Sequence, residues 1–348
     1  MKYKHWFWLT ILLTCLFMIP FIRIAAYNFY VDPLWNFSHQ NEHNVHQIGF
    51  DERQLKVNYL AQQHHHYDTL LVGTSRTTYI NQNDFTDMNA YNFSASSLDI
   101  SEYEGYVSYA SEKNNGFDTV ILEVYPRQFP GLMEFPEPSV YIANNEEKLY
   151  SIKSLFSFDT YEKAKRNYAQ EGRPTPAGYR IYNRENVVST EIVSPEVRDA
   201  NIEKGINNLN TLKTFKETLG YTKILTQIKN SSPDAKFIVY SPPYYIDRTK
   251  KIFNSEAGMA YYRDWLEDLI EVFGGVINFT TVNDITVNRD YYIDSHHFYP
   301  ATGKLVANDI TAFHNGEDLQ YATYITEENL DQFMGQFEQQ IFDAAVQQ

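Results

Sequence analysis

Two short runs hold the residue types of acyl-transfer chemistry. The first is Asp68-Thr69-Leu70-Leu71-Val72-Gly73-Thr74-Ser75-Arg76, an apolar strand pattern ending in Gly-x-Ser where a helix should begin. The second, far along the chain, is Asp294-Ser295-His296-His297-Phe298-Tyr299-Pro300. A serine hydroxyl is a weak nucleophile until a base takes its proton, and an imidazole does this best when a carboxylate orients its other nitrogen. Asp-x-x-His on one loop can meet both needs, with His297 as base and Asp294 as orienting carboxylate. His296, one residue out of register, is the alternative base if the loop is bulged. Ser75 also has a second reading, because a serine at a helix start is an ordinary N-cap. The company of Asp294 and His297 favours the nucleophile.

These residues need a scaffold that brings both ends of the chain together. Apolar runs at residues 69–73, 119–125, 236–241 and 276–279, with a shorter one at 90–93, read as five buried parallel strands, since they are apolar on both faces. Between them, Tyr262, Trp265, Leu266, Leu269, Ile270 and Phe273 recur at helical spacing before Gly274-Gly275. A second crossover helix is expected over about residues 203–229. The alternation predicts an α/β fold, a three-layer α/β/α sandwich on a five-stranded parallel, flavodoxin-like sheet. In such a sheet ligands sit beyond the carboxyl ends of the strands, where Ser75 falls. Residues 129–200, rich in Pro and Tyr, break the rhythm and read as an insertion packed over one end of the sheet. Thr326-Glu327-Glu328-Asn329 opens a terminal helix whose Leu330, Phe333, Met334, Phe337 and Ile341 share one face.

Residues 6–22 carry no charge and approach the roughly 20 residues that cross a bilayer, with Trp6 and Trp8 at one interface. The expected organisation is a cytoplasmic start at 1–5, a transmembrane anchor at 6–26, a stalk with a short helix at 27–63, and one domain at 64–348. Lys2, Lys4 and the amino terminus against Arg23 orient the domain to the extracytoplasmic side of a cell membrane, single-pass. Ile24-Ala25-Ala26 is a poor cleavage site, so the anchor is expected to be retained. A net charge of −15 supplies no basic field for nucleic acid. The only cysteine, Cys15, lies in the anchor, which leaves the domain without a disulfide or thiolate metal site.

Gly-x-Ser near the start and Asp-x-x-His near the end resemble the SGNH (GDSL-like) hydrolase superfamily. The similarity is closer to its membrane-anchored branch, which includes the D-alanyl transfer protein of teichoic acid modification and the acetylation proteins of alginate and cell-wall polymers. Gly73-Thr74-Ser75-Arg76, Asp32-Pro33, Asp294 to His297 and Thr326 to Asn329 carry it. The resemblance implies an O-acyltransferase or esterase acting on a cell-surface glycopolymer, without a cofactor, beside a multi-pass membrane acyltransferase. It makes Ser75 nucleophile, His297 base and Asp294 its partner. Arg76, Ser94 and Asn92 are the expected oxyanion and substrate-binding residues, although the resemblance fixes no role for Arg76, which either pairs with a carboxylate under the site or meets an anionic acceptor. The alternative is a non-catalytic scaffold of the same fold in an envelope acylation system.

The pattern departs from the superfamily in two blocks. Ser94 stands where a glycine amide is usual, which keeps a backbone N–H. The asparagine of the third block is missing, since that strand ends Leu122-Glu123-Val124-Tyr125. One lost oxyanion donor lowers rates by about 10²–10³, so another donor substitutes or the enzyme is slow. Glu123 is expected to pair with Arg76 or Arg127. No metal is expected: His64-His65-His66 reads as a solvated segment. The sequons at Asn92 and Asn278 fall in buried strands and read as chance. No dinucleotide or phosphate-cradling motif occurs.

Overall fold

The structure, a computed structural model, describes residues 2–62, 66–126, 136–173, 179–209 and 220–343. His64, His65 and Arg127 lie outside the described residues.

A long helix, α1 (Lys2–Val31), is followed by β1 (His46–Ile48), α2 (Glu52–Gln62), β2 (Thr69–Val72), β3 (Ala90–Asn92), α3 (Ile100–Asn114) and β4 (Thr119–Glu123). Next come α4 (Pro138–Glu146), α5 (Tyr150–Leu155), α6 (Phe158–Gln170), β5 (Ile181–Asn183), β6 (Val188–Ser189), α7 (Pro195–Asn207) and α8 (Tyr221–Asn230). The chain continues through β7 (Lys236–Ser241), α9 (Ile246–Phe253), α10 (Glu256–Phe273), β8 (Val276–Asn278), α11 (Pro300–Asn315), β9 (Thr323–Ile325) and α12 (Leu330–Asp343).

The main sheet is mixed, mostly parallel, in the order β3-β2-β4-β7-β8-β9. All pairings among the five expected strands are parallel. β2 and β4 are buried at every position, as their two-sided apolar patterns require. The expectation of five strands falls one short, because β9 closes the edge antiparallel to β8, pairing Val276 with Ile325 and Asn278 with Thr323. Three residues of mixed exposure give too little period to read as a strand. A small antiparallel sheet, β1-β5-β6, was likewise not foreseen.

Three expectations about organisation change. The crossover expected over 203–229 is two helices, α7 and α8, with 210–219 outside the described residues. The segment expected to be a stalk is instead built into the domain: Trp35 is 2% exposed, and α2 is buried from Glu52 to Leu60. Asp32 folds this entry by accepting from Asn36 N–H at 2.8 Å and pairing with Arg184 at 3.2 Å. The insertion does not simply cap the sheet, since α5 and α6 pack against the end of α1. There Asn28 Nδ2 donates to Leu155 O at 2.8 Å and to Ser157 O at 3.0 Å. Helix α12 docks through Phe337, whose ring lies 5.9 Å from Phe253 and 4.8 Å from Tyr262. Helix α1 is long and apolar enough to cross a membrane over Tyr3–Val31.

Candidate active site

Strand β2 delivers Gly73, Thr74 and Ser75 to the carboxyl edge of the parallel strands, and a 3-10 turn, Thr77–Tyr79, follows at once. The turn is tight because residue 73 is glycine: a Cβ there would lie 2.1 Å from Thr77 Oγ1 and 2.7 Å from Glu123 Cβ. Thr78 Oγ1 donates to Ser75 O at 2.6 Å, which braces the turn from the other side. Ser75 is thus a turn residue, and the expected helix start is one 3-10 turn rather than an α-helix. The N-cap of that turn is Arg76, which makes no side-chain cap bond.

The partner loop follows β8. Tyr292 and Phe298 bridge antiparallel, and Ile293 N–H donates to His297 O at 2.7 Å, which folds residues 293–297 into a closed turn. Asp294 Oδ1 accepts the His296 and His297 amides at 2.8 and 2.9 Å. The loop is held by Arg248 Nη1 on Ser295 Oγ at 3.0 Å and by Tyr245 N–H on Ser295 O at 3.2 Å. Helix α7 closes on its far side, where a Cβ on Gly205 would meet Ser295 Oγ at 2.3 Å.

These elements bring three expected residues into one chain of contacts. Ser75 Oγ lies 2.8 Å from His297 Nε2, and His297 Nδ1 lies 2.7 Å from Asp294 Oδ2. Burial opposes ionisation of Asp294, but its contacts with the two imidazoles hold its carboxyl well below the usual carboxylate range. The carboxylate only accepts, so Nδ1 carries the ring proton and Nε2 is left to accept from Ser75. His296 points elsewhere: its Nδ1 lies 3.0 Å from Asp294 Oδ1, and its ring lies tilted against His297 with centroids 4.0 Å apart. Burial, with the neighbouring His297, pushes His296 down to about 3. It stays neutral near neutral pH.

Asp294, His296 and His297 also offer ligand atoms within 4.8 Å of one another, a spacing that suits a metal ion. Both ring nitrogens of His297 are already engaged by Ser75 and Asp294. An ion taken there would have to break that chain.

The other expected residues sit under the site. Arg76 is 5% exposed, with Nη2 2.6 Å from Glu123 Oε1, Nη1 donating to Tyr244 OH at 2.6 Å, and Tyr125 stacked at 4.0 Å. Arg76, one of the two partners expected for Glu123, is in contact with it; Arg127, the other, lies outside the described residues. Glu123 is fully buried and also accepts from Thr74 N–H at 2.8 Å, Thr74 Oγ1 at 2.9 Å and the Thr77 hydroxyl. Its charge is matched inside the fold and cannot border an acceptor cleft. Asn92, 2% exposed, does not face outward either: Nδ2 donates to Thr77 O at 2.9 Å and Ile80 O at 2.8 Å. Its Oδ1 accepts the Ser94 amide at 2.8 Å, so the N–H expected in the oxyanion hole is already engaged. Burial of Asn92 and Asn278, at 2% and 0%, also closes both sequons to a glycan.

Tyr244, Tyr79 and Arg248 join the site without having been singled out in the sequence. Tyr79 lies edge-on to His297 at 6.2 Å. Pro242-Pro243-Tyr244-Tyr245, directly beyond β7, was the available signal, because residues past a parallel strand's carboxyl end wall the crevice. A cavity of about 220 Å³ lined in part by His43, His46, Glu171 and Arg173 lies beside α6 and contains none of these residues. No protein-family model matches the chain, and no curated protein matches it.

Proposed function

We propose that this chain is a membrane-anchored, extracytoplasmic serine acyltransferase or esterase of the SGNH kind, acting on a cell-surface glycopolymer. The observation that carries it is the unbroken contact chain from Ser75 Oγ through His297 to Asp294, at 2.8 and 2.7 Å. Those distances suit proton transfer from the hydroxyl. In the reaction, Ser75 Oγ attacks the acyl carbonyl as its proton passes to His297 Nε2. That proton then leaves with the departing donor oxygen, and the acyl group stays on Ser75. A polymer hydroxyl or water next gives its proton to His297 and takes the acyl group, which restores Ser75. In this reading the backbone amide of Ser75 serves the oxyanion.

The strand order β3-β2-β4-β7-β8 supports the flavodoxin-like sandwich, because in chain order it reads 2-1-3-4-5. Retention of α1 is supported by Asn28, buried two residues beyond the poor cleavage site and bonded to the domain. Lys2, Lys4 and Arg23 give the outside orientation, and a multi-pass acyltransferase partner follows from the resemblance alone.

Acylation of the polymer in cells or membranes carrying the full chain tests the proposal. Ser75→Ala and His297→Ala should each abolish it while circular dichroism stays native. Wild-type acylation by both variants removes the enzyme reading. A second reading, a non-catalytic scaffold of an acylation system, is favoured by the engaged Ser94 amide and by Glu123 at the place of an asparagine donor.

A further inference from the structure

Residues 149–158 expose a row of large apolar side chains: Leu149 57%, Ile152 48%, Phe156 46% and Phe158 63%. They are not paired with the domain core. Leu149 is held at φ 71° and ψ 17°, a left-handed conformation that Cβ-bearing residues avoid, and it still presents its side chain to the outside. A soluble surface does not usually group such residues, and grouped ones mark an interaction face.

What covers this face follows from its height along α1. At 1.5 Å per residue, a hydrocarbon core of about 30 Å takes about 20 residues. Counted from Trp6 or Trp8 at the near interface, such a span ends between Ala26 and Asn28, with exposed Arg23 within reach of the headgroups along its own side chain. Asn28 is the residue whose side chain holds Leu155 O and Ser157 O, so the apolar row sits where α1 leaves the bilayer. Phe21, Ile24 and Ala25, on the same side of α1 as Asn28, are partly covered, whereas the described side chains of α1 before them are exposed. Exposed Lys148 stands next to Leu149, and Lys153, within the row, is paired with Glu147.

We propose that residues 149–158 form a membrane-interface shoulder whose Leu149, Ile152, Phe156 and Phe158 side chains enter the leaflet that α1 exits. A single span lets a domain swivel about its axis. A span plus a shoulder fixes which side of the domain faces the lipid. The proposal rests on α1 crossing a bilayer and is independent of the catalytic reading.

Nitroxide labels on the full chain in phosphatidylcholine/phosphatidylglycerol vesicles test it, by comparing collisions with oxygen and with a water-soluble nickel chelate. Native Cys15 reports the span, while Ile152→Cys and Phe158→Cys, each on a Cys15→Ser background, report the shoulder. Glu317→Cys on the same background gives the water-exposed reference. The expected result is a ratio of oxygen to nickel collisions severalfold higher at Ile152 and Phe158 than at Glu317, approaching that at Cys15. Nickel-accessible labels at both shoulder positions with a lipid-like Cys15 overturn the shoulder and leave the anchor intact. Labels shielded from both reagents also overturn it, since protein then covers the face. A nickel-accessible Cys15 overturns the span and the shoulder together.

Discussion

Arg76, which directly follows Ser75, is paired with Glu123 in the interior, Nη2 to Oε1 at 2.6 Å, with both side chains almost without solvent contact. The pair joins the end of β2 to the end of β4, and the same carboxylate receives Thr74 and Thr77. Ser75 is therefore carried on a turn whose Thr74, Arg76 and Thr77 side chains are tied to one buried anion.

Glu123→Ala should be the most damaging single change in this region. It leaves the Arg76 guanidinium buried and unpaired, and removing one partner of a buried pair costs about 3–5 kcal/mol. Urea or thermal unfolding measures it, and Glu123→Gln, which keeps an acceptor for Thr74, should lose less. An alanine variant as stable as the parent would mean that the turn does not depend on the carboxylate.

Asn92→Ala removes the donor to Thr77 O and Ile80 O and the acceptor of Ser94 N–H. An unsatisfied buried polar group costs about 1–3 kcal/mol, and although Thr77 O keeps the Ile80 amide, stability should fall by at least about that much and turnover with it. Parent-like unfolding would contradict the bracing role.

Gly205→Ala tests how closely the loop carrying Asp294 and His297 is held from outside. The new methyl overlaps Ser295 Oγ and should shift the loop carrying Asp294 and His297. A displacement of about 1 Å can lower turnover by about 10²-fold. The expected signature is a lower kcat with a nearly parental melting temperature; unchanged kcat would show that α7 yields instead.

The sheet was legible in the sequence because β2, β4, β7 and β8 are runs of Leu, Val and Ile without alternation, which only a strand covered on both faces tolerates. Ser75, Asp294 and His297 were legible because their residue types and order have few other uses together. The misplacements have one physical origin: sequence names a strand end without saying which way its side chains turn. Asn92 and the Ser94 amide were read as facing substrate, yet they bond to each other and to the fold interior, whereas the pairing of Arg76 with Glu123 was foreseen. Residues 32–60 looked like a stalk because their burial comes from tertiary partners such as Arg184 and Tyr182, distant in sequence.

Lys56 gives the fold a pH dependence of defined sign. Its ammonium is fully buried, bonded to Asn186 Oδ1 and lying 4.4 Å from the Tyr182 ring centre, and burial pushes its pKa down to about 7. The unfolded chain binds this proton up to the ordinary lysine pKa of about 10.4, so between pH 7 and 9 it holds more protons than the folded one. Stability from this group therefore rises with pH across that window, by at most about 1.4 kcal/mol per pH unit. It is lost again as pH falls toward 7. Lys56→Met should flatten that slope in urea unfolding at pH 7, 8 and 9, and an unaltered slope would refute the assignment.

The most direct measurement is covalent labelling of the full-length protein with a fluorophosphonate, followed by peptide mapping. Under the proposed function the contact chain through His297 and Asp294 activates the Ser75 hydroxyl, so the adduct should fall on Ser75. It should vanish in Ser75→Ala and drop by orders of magnitude in His297→Ala, each with native circular dichroism. Absence of any adduct on Ser75, or labelling there that His297→Ala leaves undiminished, would contradict an activated serine at this site.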